Sequence, residues 1–78
     1  MDWQTIACEI EHRAGRYSRP IAIVWQNHRL PVVDIGRQWQ EDNDRHLLVR
    51  VADNRVFELR QHHEVWQARP VSMPPEVV

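Results

Sequence analysis

The chain has 78 residues, 42% of them hydrophobic, and ten basic against eleven acidic side chains give a formal net charge of −1. That length holds one small domain at most, and the balanced charge excludes a strongly basic nucleic-acid binder and a polyanionic tail. No apolar run approaches the roughly eighteen residues of a membrane helix. The start around Asp2 and Trp3 also lacks the basic and apolar stretches of a signal peptide, so a cytoplasmic protein is expected.

No stretch repeats apolar residues at helical spacing. What recurs is alternation of apolar and polar residues between short polar breaks, the pattern of half-buried strands. Taken in chain order, the predicted strands cover residues 5–11, 20–26, 30–39, 45–52, 56–61 and 64–69. A polar connection over 14–19 precedes the second. Asn27-His28 is expected as a two-residue loop that sets Trp25 against Leu30 and Ile23 against Val32, since Asn tolerates the positive φ of a tight primed turn. The third strand places Leu30 and Val32 on one parity and Trp39 on the other. Gly36 between them marks a bulge or bend. Glu41-Asp42-Asn43-Asp44 is the turn into the fourth strand. A three-residue loop, Ala52-Asp53-Asn54, sets Val49 against Phe57 and Leu47 against Leu59, with Arg50 and Glu58 as a diagonal outer pair. A two-residue His62-His63 loop sets Leu59 against Trp66 and Phe57 against Ala68. From Pro70 onward the prolines oppose pairing, which divides the chain into a domain over 1–70 and a disordered tail over 71–78.

The expected fold is all-β: a small, strongly curved antiparallel sheet of five or six strands in an SH3-like, barrel-like meander, rolled on its apolar face. Ile6, Cys8, Ile10, Ile21, Ile23, Trp25, Leu30, Val32, Leu47, Val49, Val51, Phe57, Leu59 and Trp66 would line the interior. Val24, Val33, Ile35 and Val65 would point outward, to be covered by the N-terminal segment or by a second copy, so a homodimer is among the expectations.

Two stretches carry a resemblance. Pro20-Ile21-Ala22-Ile23-Val24-Trp25, followed by Arg29, Val32 and Trp39, resembles the opening of a small bacterial domain family of unknown function. Arg50 to Leu59, with its Asp53-Asn54 turn and Phe57-Glu58-Leu59, is similar to that family's arginine-rich strand, Asp-Gly turn and aromatic-Glu-Leu strand, and Trp66 falls in the closing strand. The likeness spans about residues 5–70. Asn27 and Asn54 stand where Gly is usual and keep the turn chemistry. Leu30 stands where an aromatic is usual, which removes a stacking residue. Some members are encoded beside, or fused to, relatives of translesion DNA polymerases, so the resemblance implies a DNA-repair context and no particular activity.

Catalytic chemistry finds little support. Cys8 sits at an inward strand position, and Ser18 and Ser72 lack a strained nucleophile elbow. A lone Cys permits neither an internal disulfide nor a cysteine-rich zinc site. His12, His28, His46, His62 and His63 are spread over strand ends and turns without metal-ligand spacing, and two glycines build no phosphate loop. All ten basic residues are Arg, which points to GC-rich coding or, as the alternative, to Arg chosen for bidentate carboxylate or phosphate contacts; having no Lys removes Schiff-base chemistry. Asp34 falls on the inner face opposite Ile21 and needs an Arg partner, at a turn or at the Gly36 bulge. No catalytic residue, metal or cofactor is expected. The expectation is a non-catalytic interaction or oligomerisation domain with a protein partner or a second copy, and weak single-stranded nucleic-acid binding is the alternative. Trp3, Arg29, Arg37, Trp39, Arg50 and Arg60 are the candidate binding residues, being of types enriched at binding hot spots.

Overall fold

A computed structural model describes residues 3–12 and 18–72. Six strands, β1 (Gln4–His12), β2 (Ser18–Trp25), β3 (His28–Glu41), β4 (Asp44–Val51), β5 (Val56–His62) and β6 (Val65–Val71), follow one another as an antiparallel meander. β1 returns to pair with β6 from Gln4↔Ala68 to Ile6↔Trp66, which closes the sheet into a barrel. Among the described residues there is no helix long and apolar enough to cross a membrane. Residues 13–17, most of the expected polar connection, and 73–78, most of the expected tail, lie outside the described residues.

Two strands are shared between neighbours along their length. β1 gives residues 4–6 to β6 and 7–12 to β2, while β3 gives 28–31 to β2 and 32–41 to β4. The sheet turns its corners at these handovers, as a small barrel must.

The Ala52-Asp53-Asn54 loop forms as expected: Leu47 faces Leu59, Val49 faces Phe57, and Asn54 is left-handed at φ 75°. The Glu41↔Asp44 turn also forms, with Asp42 and Asn43 both at positive φ as a primed turn requires. The other two hairpins differ from expectation in the same way. The loops are Gln26-Asn27 and His63-Glu64, so that Ile23 faces Leu30 and Leu59 faces Ala68. Each register is two residues from the expected one. Side chains alternate with period two, so a two-residue slip changes partners and preserves faces.

The core comprises Ile23, Trp25, Leu47, Val49, Val51, Phe57, Leu59, Trp66 and Ala68, with Ile6, Cys8, Ile10, Leu30, Val32 and Ile35 packed against it. Of the expected interior, Ile21 is the exception at 41% exposed. The β1–β2 register steps from Glu9↔Ala22 to Ile10↔Pro20, so Ile21 is the extra residue of a bulge and Pro20 takes the buried place.

β3 carries two bulges, where the sequence marks one at Gly36. The first, at Val33, lies between Val32↔Val51 and Asp34↔Arg50. The second spans 36–37, between Ile35↔Val49 and Gln38↔Leu47. The first turns Ile35 into the core, which corrects its expected outward placement. It also turns Asp34 to the outer face, where it pairs with Arg50, correcting the inner-face expectation. The second bulge restores the original phase and leaves Trp39 outward, opposite His46. Pro70 and Val71, expected to be unpaired, face Phe57 and Val56. The described pairing of β6 with β1 stops at Ala68, so the N–H that Pro70 lacks interrupts no described ladder there.

Candidate functional site

The outer faces of β4, β5 and β6 carry a buried polar cluster. Outward parity puts His46 on β4, Glu58 and Arg60 on β5, and Gln67 and Arg69 on β6. The register places His46 opposite Arg60, Arg60 opposite Gln67, and Glu58 opposite Arg69. Glu58 is 8% and His46 6% exposed, unusual values for outward positions on a small barrel.

Each residue of the cluster has a polar partner within it. Arg69 donates from Nε and Nη2 to Glu58 Oε1, at 3.1 and 2.9 Å. His46 Nδ1 lies 3.1 Å from Glu58 Oε2, and since a carboxylate oxygen accepts, Nδ1 is the donor. Arg60 donates from Nε to Gln67 Oε1 at 2.9 Å.

Two tryptophans cover the cluster. Trp3, just before β1, sits on both guanidiniums, with Arg60 Cζ 4.2 Å and Arg69 Cζ 4.6 Å from the ring centroid. It also meets His46 edge-on at 6.1 Å. Trp39 lies flat on His46, its centroid 5.3 Å away at an interplanar angle of 14°. Arg37 lies over Trp39 at 5.2 Å, and Trp39 Nε1 donates to Glu41 Oε1 at 3.3 Å. Such stacks hold a planar cation against an aromatic face and leave its edge free to bond. A cavity of about 190 Å³ opens beside Trp3, and Glu41, Asp42 and Asp44 join Glu58 in its wall.

Of the six candidate residues, Trp3, Arg37, Trp39 and Arg60 come together around His46. The other two do not join them. Arg29 forms a bidentate pair with Glu9, at 2.6 and 2.9 Å, between β3 and β1. This pairing holds the Glu9 carboxyl below its usual range. Arg50 is bound to Asp34, so the expected Arg50–Glu58 diagonal pair does not form; Glu58 turns to His46 and Arg69 instead.

His46, Glu58 and Arg69 are the members that sequence reading missed. His46 was expected only as one of the histidines at strand ends and turns and is instead walled in by two tryptophans. The signal available was the β4–β5 register, which puts His46 diagonal to Glu58 on one face. The other histidines are exposed, and His62 contacts Asp44. Among the described residues, no group of three His, Cys, Asp or Glu side chains is placed to hold a metal ion. Cys8 packs against the core, where burial pushes its thiol pKa up to about 12.

No protein-family model, no curated protein and no solved structure matches the chain.

Proposed function

We propose that this protein is a non-catalytic interaction domain whose contact surface is the outer face of β4–β6, centred on Trp3, Arg60, Arg69, His46 and Trp39. The observation that carries this reading is the pair of guanidiniums fixed beneath one tryptophan within a rim of carboxylates. Trp and Arg are the side chains most enriched at protein hot spots, and here both are ordered in advance, which lowers the entropy cost of binding. The partner is a protein segment that offers apolar side chains to Trp3 and Trp39 and basic ones to the rim of Glu41, Asp42 and Asp44. The resemblance of residues 5–70 to a family linked with translesion polymerases directs the search for it to DNA-damage-tolerance proteins.

The second reading, single-stranded nucleic-acid binding, draws on the same aromatics. It requires cationic surroundings that attract phosphate. Four carboxylates in the cavity wall oppose that attraction, and Arg69 is already paired with Glu58. Titrating the intrinsic tryptophan fluorescence with an oligothymidylate at low and then rising salt separates the two. The protein-partner reading gives no binding at low salt. Tight binding that weakens steeply with salt supports the nucleic-acid reading and overturns this one.

A further inference from the structure

The β3 strand leaves β2 after residue 31, and from residue 32 to 41 it pairs with β4 alone. Along that stretch the edge turned away from β4 meets no strand among the described residues, and no residue of β3 is buried. An open edge presents a row of backbone donors and acceptors to any other extended chain. The bulges at Val33 and at 36–37 interrupt the nearer part of this edge. The ladder is regular again over Gln38-Trp39-Gln40-Glu41, and Arg37, the second residue of the bulge, precedes it and stacks on Trp39.

This short run is its own complement. A two-fold axis normal to the sheet beside Trp39 sets Trp39 against Trp39 of a second copy. The same axis puts Gln38 against Gln40, and Arg37 against Glu41 twice over. Residues directly opposite in an antiparallel pair have Cβ atoms about 4.5–5.5 Å apart, within reach of an ion pair. Both charges are exposed and already lie on the outer face with Trp39. Arg37 stacks over that ring, and Glu41 accepts its Nε1–H. The comparable edge of β1, residues 7–12, which pairs with no strand but β2 among the described residues, lacks this symmetry. Two-fold pairings centred on residue 9, 10 or 11 set Glu9 or Glu11 against another carboxylate.

We propose that residues 37–41 are a self-association edge, through which two copies pair antiparallel about Trp39 into a continuous β4–β3–β3–β4 sheet. So short a ladder buries less than the roughly 1,600 Å² of a standard interface, so the association is weak and depends on concentration. The pairing shares Trp39 and Glu41 with the proposed partner surface, whereas Trp3, Arg60 and Arg69 lie on other elements and take no part in it.

Sedimentation equilibrium of the full chain at concentrations rising to the millimolar range tests it, with circular dichroism confirming that each variant is folded. The wild type is expected to dimerise as concentration rises. R37E and E41R each turn both attractive pairs into repulsive ones and should raise the dissociation constant about tenfold or more. An equimolar mixture of the two should recover a heterodimer, because each variant offers the charge the other now needs. R37Q and E41Q, which remove charge without adding repulsion, should fall between wild type and the reversals. A wild type that stays monomeric, single reversals that associate as tightly as wild type, or a mixture with no heterodimer would each overturn the proposal. A monomeric wild type that instead takes up an extended peptide of another sequence overturns it as well. Sedimentation reads self-association alone, and partner binding at Trp3 is read separately by cross-linking from that position, so the two readings can fail separately.

Discussion

Glu58 and Arg69 face each other across β5 and β6, and the guanidinium gives both of its bonds to Oε1, which leaves Oε2 for His46. One buried carboxylate thus orients the cation beneath Trp3 and the imidazole beneath Trp39. Glu58→Gln keeps the shape and removes the charge. It weakens both contacts, and the expected loss of stability is about 1–3 kcal/mol. The half-exposed Arg69 regains water in the variant, which keeps the loss below that of a fully buried pair. Urea unfolding measures the loss, and acrylamide quenching should show Trp3 more accessible. Unchanged stability and quenching would mean that Glu58 does not organise the surface.

Trp25 tests which face of the ribbon is inside. It is 6% exposed and meets Phe57 edge-on, the ring centroids 5.0 Å apart at 61°. Trp25→Ala should cost about 3–5 kcal/mol, as other large-to-small core changes do, and in a domain this small it should leave most of the chain unfolded at 37 °C. Thermal unfolding followed by circular dichroism is the check. A variant that melts like wild type and has lost only a binding activity would place Trp25 on the surface.

Cys8 gives the fold an alkaline limit. Burial raises its pKa from 9.0 to about 12, with Arg45 opposing in part. The folded chain therefore holds a proton that the unfolded chain releases. The stability tied to the neutral thiol is complete below pH 9.0 and is lost as pH rises from there toward 12. Cys8→Ala should lower stability at pH 7 and flatten its fall across that alkaline range, when urea midpoints of the two proteins are compared. An identical alkaline fall in wild type and variant would contradict the burial of the thiol.

Much of the fold was legible because alternation records faces. Both wrong hairpin loops, at Asn27-His28 and His62-His63, were off by one residue, which slips the register by two and so left the paired side chains on their expected faces. Bulges were harder to see. The one at Ile21 has no glycine to mark it, and swapping Pro20 for Ile21 in the interior costs little apolar area, so composition does not reveal it. Gly36 marked the second bulge of β3, but the first, at Val33, has no glycine, and it is the one that turns Asp34 outward and Ile35 inward. The candidate site was half legible. Trp3, Trp39, Arg37 and Arg60 stood out by type, but Arg29 and Arg50 did too, and only the three-dimensional register shows those two bound to Glu9 and Asp34. His46 and Glu58 were read only as a strand-end histidine and as half of a pair with Arg50, because their burial on an outer face depends on Trp3, which is distant from both in sequence.

The most direct measurement of the central claim is site-specific photocross-linking in native cells, with a benzophenone amino acid replacing Trp3 in one strain and Arg29 in another. The account predicts a discrete protein adduct from position 3, lost when Arg60→Ala and Arg69→Ala are added, and no such adduct from position 29. An adduct to nucleic acid at position 3, or a protein adduct from position 29 alone, would contradict it.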